Sequence, residues 1–498
     1  MQIWIRKLTG NHYVLPLLIF LICIWRIFVP QLTSHYGLGW DGTRYYLLAV
    51  DGFKSNQLDA YTILRILPSL LVHIVFQVFS IEFNPPHVIM AFKIMNAVLI
   101  GISAWMVKKI FEQYELSPAS QIVGFAIVFM NYGVLNFTFY YPVMTDTPAF
   151  FLSVALFYFF IRGELTNVLL VGLIGAFTWP VIFVMAIAMI LFPGKKTEFV
   201  PFKKGWVIAV CSLCGAYALA TGWYLLFYKR ENTEFTYALS ISQTMLPVTF
   251  LGVGVLFFFM PLVLCNQTFF SLQYYKRELK LSRILAVVGL SVVFLGLRYA
   301  VETETSEFLT LYHQVKIHML YAFQRPLITI AGHFNYFGVG MLLIILFWRR
   351  FSAFISTFGL GVAGIVFLNF FIFFAKPESR AIIHFFPWLL ILISLYIGKY
   401  RFSTLFYALI IIVNLVLAKL WLFFEYSDIV DHLMPDGTVD FPDQWFYMHL
   451  GIWMTEGVWL WLTIAFFISL LLFIFSLYKI VPGKKEFLFY KKFEPIIT

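Results

Sequence analysis

The residues best suited to chemistry lie between His35 and Pro68, where Asp41, Arg44, Asp51, Lys54, Asp59 and Arg65 interrupt a chain that is otherwise largely apolar. Two further groups share their character. Asp146 stands in Tyr140-Tyr-Pro-Val-Met-Thr-Asp-Thr-Pro148, and Lys376, Glu378, Arg380 and His384 stand in and just after Ala375-Lys-Pro-Glu-Ser-Arg-Ala381. Charged groups beside a bilayer are expensive, so their recurrence at the ends of apolar runs is a functional-site signal. Such a set can move protons and hold anions. A carboxylate takes the proton from an attacking hydroxyl while guanidiniums hold a departing phosphate. Glu378, Arg380 and His384 fall at one helix end, where backbone N–H groups add to the positive charge. Each group also has a plain structural reading. Asp146 ahead of Thr-Pro fits a helix cap, Lys376 and Arg380 fit interfacial anchors, and residues 35–68 fit a solvated loop.

Membrane helices must position these residues. Of the 498 residues, 61% are hydrophobic, 20% aromatic and only 12% charged, and the mean hydropathy is +0.86. A soluble globule would carry about 25% charged residues. The net charge of +10 does not point to nucleic acid, because the basic residues sit in short clusters between apolar runs. Lys108-Lys109, Lys195-Lys196, Lys203-Lys204, Lys276-Arg277 and Arg349-Arg350 have the pattern of cytoplasmic loops. Apolar runs at 13–29, 87–107, 119–139, 148–163, 165–178, 180–193, 206–228, 243–265, 283–300, 327–348, 352–374, 382–398, 403–424 and 455–478 predict about fourteen spans in an all-α polytopic fold. The pair 165–178 and 180–193 is short for spanning helices and is interrupted at Trp179-Pro180. The first run follows Arg6 and Lys7 without a small-residue cleavage site and reads as a retained anchor with its N-terminus in the cytoplasm.

Counting every apolar run as a span would put Lys108-Lys109 outside. Residues 63–80, which contain Arg65, Pro68 and His73 and precede Asn84-Pro-Pro86, are therefore read as an amphipathic segment lying along the outer interface. Both termini then lie inside. The outer face receives the 30–86 loop, the 140–147 turn, the 301–326 loop, the 375–381 turn and the 425–454 loop. Loop 301–326 opens on Glu302, Glu304 and Glu307 and continues with apolar residues at helical spacing, as an interfacial helix or lid would. The aspartates of 425–454 lack calcium-loop spacing, and the basic tail 479–498 reads as a cytoplasmic end that meets anionic lipid. Cys23, Cys211, Cys214 and Cys265 fall within or at the end of spans and read as packing residues. The sequence shows no phosphate-cradling glycine loop, metal-ligand cluster or serine triad, and no internal repeat of the transporter kind.

A largely apolar wall with carboxylates and arginines at one face suits a substrate that is half lipid and half anion, such as a polyprenyl-phosphate sugar. Trp40-Asp41-Gly-Thr-Arg-Tyr45 resembles the first-loop aspartate motif of GT-C type glycosyltransferases. Met144-Thr-Asp-Thr-Pro-Ala-Phe-Phe-Leu-Ser-Val-Ala-Leu-Phe-Tyr158 is similar to the second acidic motif of the GT-C branch that includes protein O-mannosyltransferases and the lipid A aminoarabinose transferase. The resemblance covers about the first 190 residues. It departs at Gly42, where those relatives usually carry a second acidic residue.

The resemblance implies one transmembrane glycosyltransferase domain over 1–498, which moves a sugar with inversion from a polyprenyl-phosphate donor to a glycan, lipid or protein acceptor on the extracytoplasmic face of a bacterial cell membrane. Asp41 would be the catalytic base and Asp146 a second acidic group near the acceptor. Arg65, Arg380, His384 and Arg44 are assigned to the donor phosphate by position and charge, and Glu378, Tyr45 and Glu307 to the acceptor or lid. No cofactor and no metal are expected. A transporter or flippase of lipid-linked saccharide, and a ligase or polymerase of lipid-linked oligosaccharides, are the alternatives.

Overall fold

The computed structural model describes residues 11–29, 34–55, 59, 61–194, 197–228, 244–301, 319–420, 451, 454–481 and 484–487. Helix α1 (Val14–Ile27) is followed by two short helices, α2 (Trp40–Asp51) and α3 (Ile66–Phe79), and then by the long α4 (Pro85–Gln113). The Asn84 side chain accepts the His87 N–H at 3.0 Å, and prolines, which have no N–H that needs an acceptor, occupy the first turn, so α4 starts sharply. At about 1.5 Å per residue it is long enough to cross a bilayer with turns to spare. It runs antiparallel to α1. His12 meets Glu112 at one end, and at the other Lys93 Nζ donates to the last α1 carbonyl, Ile27, and to Val29 just beyond the helix (3.1 and 3.0 Å).

After α5 (Pro118–Phe129), a π-helical turn (Gly133–Phe137) and α6 (Thr138–Tyr140) come α7 (Asp146–Arg162), α8 (Leu165–Ala176), α9 (Val181–Leu191), α10 (Lys204–Tyr228), α11 (Leu246–Phe259), α12 (Leu272–Glu278) and α13 (Leu281–Val301). The remainder is α14 (Ile328–Phe337), α15 (Val339–Ser356), α16 (Leu360–Ala375), α17 (Phe386–Gly398), α18 (Thr404–Leu417) and α19 (Glu456–Ser476), with a small antiparallel hairpin of β1 (Tyr478–Val481) and β2 (Lys484–Phe487). Six of the described helices are long and apolar enough to cross a membrane, or seven if one bent pair counts as a single span. The chain is an α-helical membrane protein. Of the roughly fourteen spans expected from the apolar runs, six or seven are met by length and apolarity among the described residues, and several of the other runs form shorter or broken helices.

The run expected as one span over 119–139 bends by 57° between α5 and the π turn. Asn131 makes this break possible, since its side chain donates to the Val128 carbonyl (2.9 Å) and accepts the Val134 N–H (3.0 Å). Backbone groups freed inside a membrane must be satisfied by protein in this way. The run expected over 327–348 is likewise interrupted, at Gly338, whose φ of 70° ends α14 before α15 begins. There Asn414 supplies the missing partner: it accepts the Val339 N–H at 2.8 Å and donates to the Ala126 carbonyl at 2.9 Å. The two breaks touch. A Cβ on Gly133 would come within 2.3 Å of the Tyr336 ring, and one on Gly338 within 3.5 Å of Asn131 Cβ.

Other expectations fare differently. Helices α8 and α9 are as short as the sequence suggests and turn back on each other at Phe177–Pro180. The 63–80 segment forms a 3-10 turn (Ile63–Arg65) and α3, which exposes Leu71, Ile74, Val78 and Phe79 and reaches α2 through a His73 Nδ1 contact with the Ala49 carbonyl at 2.8 Å. Most of loop 301–326, including Glu307, and nearly all of 425–454 lie outside the described residues.

Contacts sort the connections to two ends of the bundle. At one end Tyr114 stacks near Phe358, Gly398 lies against Leu116, Thr197 bonds Thr357 and the Tyr274 hydroxyl accepts the Leu360 N–H. This end carries Lys109, Lys276, Arg277, Arg349, Arg350 and Arg401 and is the basic end. At the other, the Leu67 N–H donates to the Phe177 carbonyl, Trp179 stacks on His384, and the Arg325 guanidinium donates to the Met454 carbonyl. The acidic turns gather here.

Candidate functional site

Asp41 lies in the first turn of α2, one residue after the helix begins. Gly39 precedes it with φ 70° and ψ −174°, a conformation that costs a side chain dearly, and a Cβ there would fall 2.3 Å from the Tyr141 ring. That close approach lets the Tyr141 hydroxyl accept the Asp41 backbone N–H at 2.8 Å. The first loop and the turn after α6 are thereby joined through the residue that carries the carboxylate.

The Asp41 carboxylate is 40% exposed and is ion-paired with Arg380, whose side chain is 15% exposed. Arg380 Nε also donates to Glu378 Oε1 at 2.9 Å, and Lys376 Nζ meets the other Glu378 oxygen at 3.1 Å. Burial alone would pull the Arg380 pKa down. Asp41, Glu378 and Asp146 outweigh it and hold the guanidinium charged. The four-residue chain Lys376, Glu378, Arg380 and Asp41 thus links the 375–381 turn to the first loop.

Asp146 sits behind this chain, 5% exposed. Its carboxylate caps nothing: Thr145 is the cap residue of α7 without a side-chain bond, and neither Asp146 oxygen has a hydrogen-bond partner among the described residues. The helix-cap reading of Asp146 is therefore wrong. It lies in the field of Arg380, Glu378, Asp41 and Arg65 and lines a cavity between the π turn, α7 and α14.

Arg65 presents a different surface. Its guanidinium lies over the rings of Tyr61 (3.9 Å) and Trp179 (4.9 Å), and among the described residues its N–H groups meet no hydrogen-bond acceptor. Stacked guanidiniums keep their donor edge available for an anion. His384, assigned by sequence to the same anion, is buried; Nε2 pairs with Asn369 Oδ1 at 2.8 Å and the ring stacks on Trp179 at 5.8 Å. It supports the Trp179 ring that carries Arg65 and does not open toward a ligand. Arg44 is exposed on α2 and joins none of these contacts. Tyr45, expected at the acceptor, is buried against Thr145; burial pushes its phenol well above the ordinary range, so it is a neutral packing group. Glu378 lies between Lys376 and Arg380, and Glu307 lies outside the described residues.

Sequence reasoning missed Tyr141, Trp179 and Tyr336. The doubled tyrosine before Pro142 and the Trp179-Pro180 break were the available signals, but 27 tyrosines and 14 tryptophans dilute them. Among the described residues no three His, Cys, Asp or Glu side chains come together in a way that could hold a metal ion. No family model, curated protein or solved structure matches the chain. What the arrangement can do chemically is hold an anion at Arg65 and present a half-open, arginine-paired carboxylate at Asp41.

Proposed function

We propose that this chain is an inverting glycosyltransferase that takes a sugar from a polyprenyl-phosphate donor. The observation that carries the reading is the meeting of Asp41, Arg380 and Asp146 from three separate connections at one end of an apolar bundle, with the open guanidinium of Arg65 at the same end. Asp41 is the only one of the two carboxylates open enough to reach an incoming hydroxyl, so it is the base. Arg65 takes the phosphate, and Arg380 adds positive charge as the leaving group departs. The exposed apolar faces of α3 and its neighbours give the lipid tail a greasy approach. The positive-inside trend assigns the basic end to the cytoplasm and this site to the extracytoplasmic face.

The test is transfer in liposomes from a defined polyprenyl-phosphate sugar. Asp41→Asn should lower turnover by about 10²–10⁴-fold with the protein still folded. Near-normal transfer by that variant would remove the base. In cells lacking the chain, mass spectrometry of lipid-linked sugars and surface glycans should show accumulated donor and a missing sugar, which would identify both substrates.

One observation favours a second reading, movement of a lipid-linked saccharide without bond cleavage. Two interrupted helices, α5 with the π turn and α14 with α15, meet at their breaks, as transporter sites often do. Product analysis in the same liposomes separates the two readings, because transport leaves the donor intact.

A further inference from the structure

Where the two broken helices meet, Gly133, Thr138, Asp146, Thr147 and Tyr336 line a cavity of about 10 Å³, with room for one water-sized occupant. The hydrogen bonds on this wall all run the same way. Thr147 Oγ1 donates to Thr138 Oγ1 at 3.2 Å, and Thr138 Oγ1 donates to the Gly133 carbonyl at 3.0 Å. Both threonine protons are therefore committed, and the two hydroxyls can offer the cavity only lone pairs. The Asp146 carboxylate adds two more acceptor atoms without partners, and the Tyr336 hydroxyl, also buried and unpartnered, adds a fifth oxygen.

Four of the five oxygens offer only lone pairs and the Tyr336 O–H brings a single proton, so a neutral water with two protons leaves the wall short of donors and the lone carboxylate calls for a cation. All the ligand atoms are hard oxygens, which excludes the metals that prefer imidazole or thiolate. The charge is that of one monovalent ion: Lys376 and Arg380 are already matched by Glu378 and Asp41, and Arg65 nearby opposes a second positive charge. A carboxylate is a high-field oxygen ligand, which favours the small Na⁺ over K⁺. We propose that Asp146, Thr138, Thr147 and Tyr336 form a Na⁺ site that locks the two broken helices together. The inference does not rest on sugar transfer.

The test is thermal unfolding of the purified full chain in detergent, in NaCl against KCl and choline chloride at equal ionic strength. Na⁺ should raise the melting temperature saturably by about 2–4 °C. Asp146→Asn, which keeps the side-chain shape, and Thr147→Val should each abolish that rise, whereas Asp41→Asn should retain it. Radioactive Na⁺ should bind the unaltered chain with a single saturable site, a measurement that needs no variant to fold. Equal melting in NaCl and choline chloride, equal stabilisation by K⁺, a full Na⁺ response in Asp146→Asn, or no saturable Na⁺ binding would each overturn the assignment. Absence of sugar transfer by the unaltered chain, with its Na⁺ response intact, would count against the glycosyltransferase reading alone.

Discussion

Arg380 serves two carboxylates at once, and the unequal exposure of its partners sets what its removal does. Glu378 keeps Lys376 as a partner when Arg380 is lost, and Asp41 has water to turn to. Arg380→Gln should therefore cost only about 1–3 kcal/mol of stability, read as a modest fall in melting temperature. On the proposed mechanism its effect on transfer should be far larger, because the positive charge that would face a departing phosphate goes with it. A transfer rate within a few-fold of the unaltered chain would mean Arg380 is only a structural clamp. Gly39 is tested in the opposite sense, since it touches no substrate. Gly39→Ala forces a side chain into a glycine-only conformation against the Tyr141 ring, at about 1–3 kcal/mol. The variant should melt at a lower temperature and lose transfer with it, because Tyr141 can no longer hold the Asp41 N–H.

The helices show what an apolar pattern can and cannot convey. Long uninterrupted runs such as those of α4, α10, α13 and α19 were legible because length and hydropathy alone decide them. So was the α8–α9 hairpin, since Trp179-Pro180 announces its turn. The break at Asn131–Gly133 was not, because its cause is a local side-chain bond inside a run that stays apolar on both sides. Asn414 looked like a stray polar residue for a related reason: its partners, Val339 and Ala126, are 75 and 288 positions away. At the site, the shared location of Asp41 and Arg380 followed from topology. The inward placement of His384 and Tyr45 did not, because burial depends on which neighbours arrive. Asn414→Leu tests the element-scale claim directly. It leaves the Val339 N–H and the Ala126 carbonyl without their side-chain partner, which should lower stability by about 1–3 kcal/mol, seen as earlier thermal unfolding. Unchanged melting would show that the two broken helices hold together without Asn414.

The molecule as a whole is polarised, and the polarity is what gives the site a side of the membrane. Glu82 precedes α4, and Arg44 lies on α2 beside Asp41, both exposed at the end where the acidic turns meet. Lys280 precedes α13 and Arg401 precedes α18, both exposed at the end tied together by Tyr274, Phe358 and Leu116. Insertion leaves lysine- and arginine-rich connections in the cytoplasm, because carrying each positive charge across the bilayer is costly. In a background with Cys23, Cys211, Cys214 and Cys265 replaced, single cysteines at Glu82 and Arg44 should react with a membrane-impermeant maleimide added to intact cells. Cysteines at Lys280 and Arg401 should react only after the membrane is opened. Labelling of Glu82→Cys and Arg401→Cys from the same side would contradict the two-ended bundle itself. Labelling of the two pairs from opposite sides but in reverse would keep the bundle and turn the Asp41 site to the cytoplasm, where it would draw on a cytoplasmic acceptor instead.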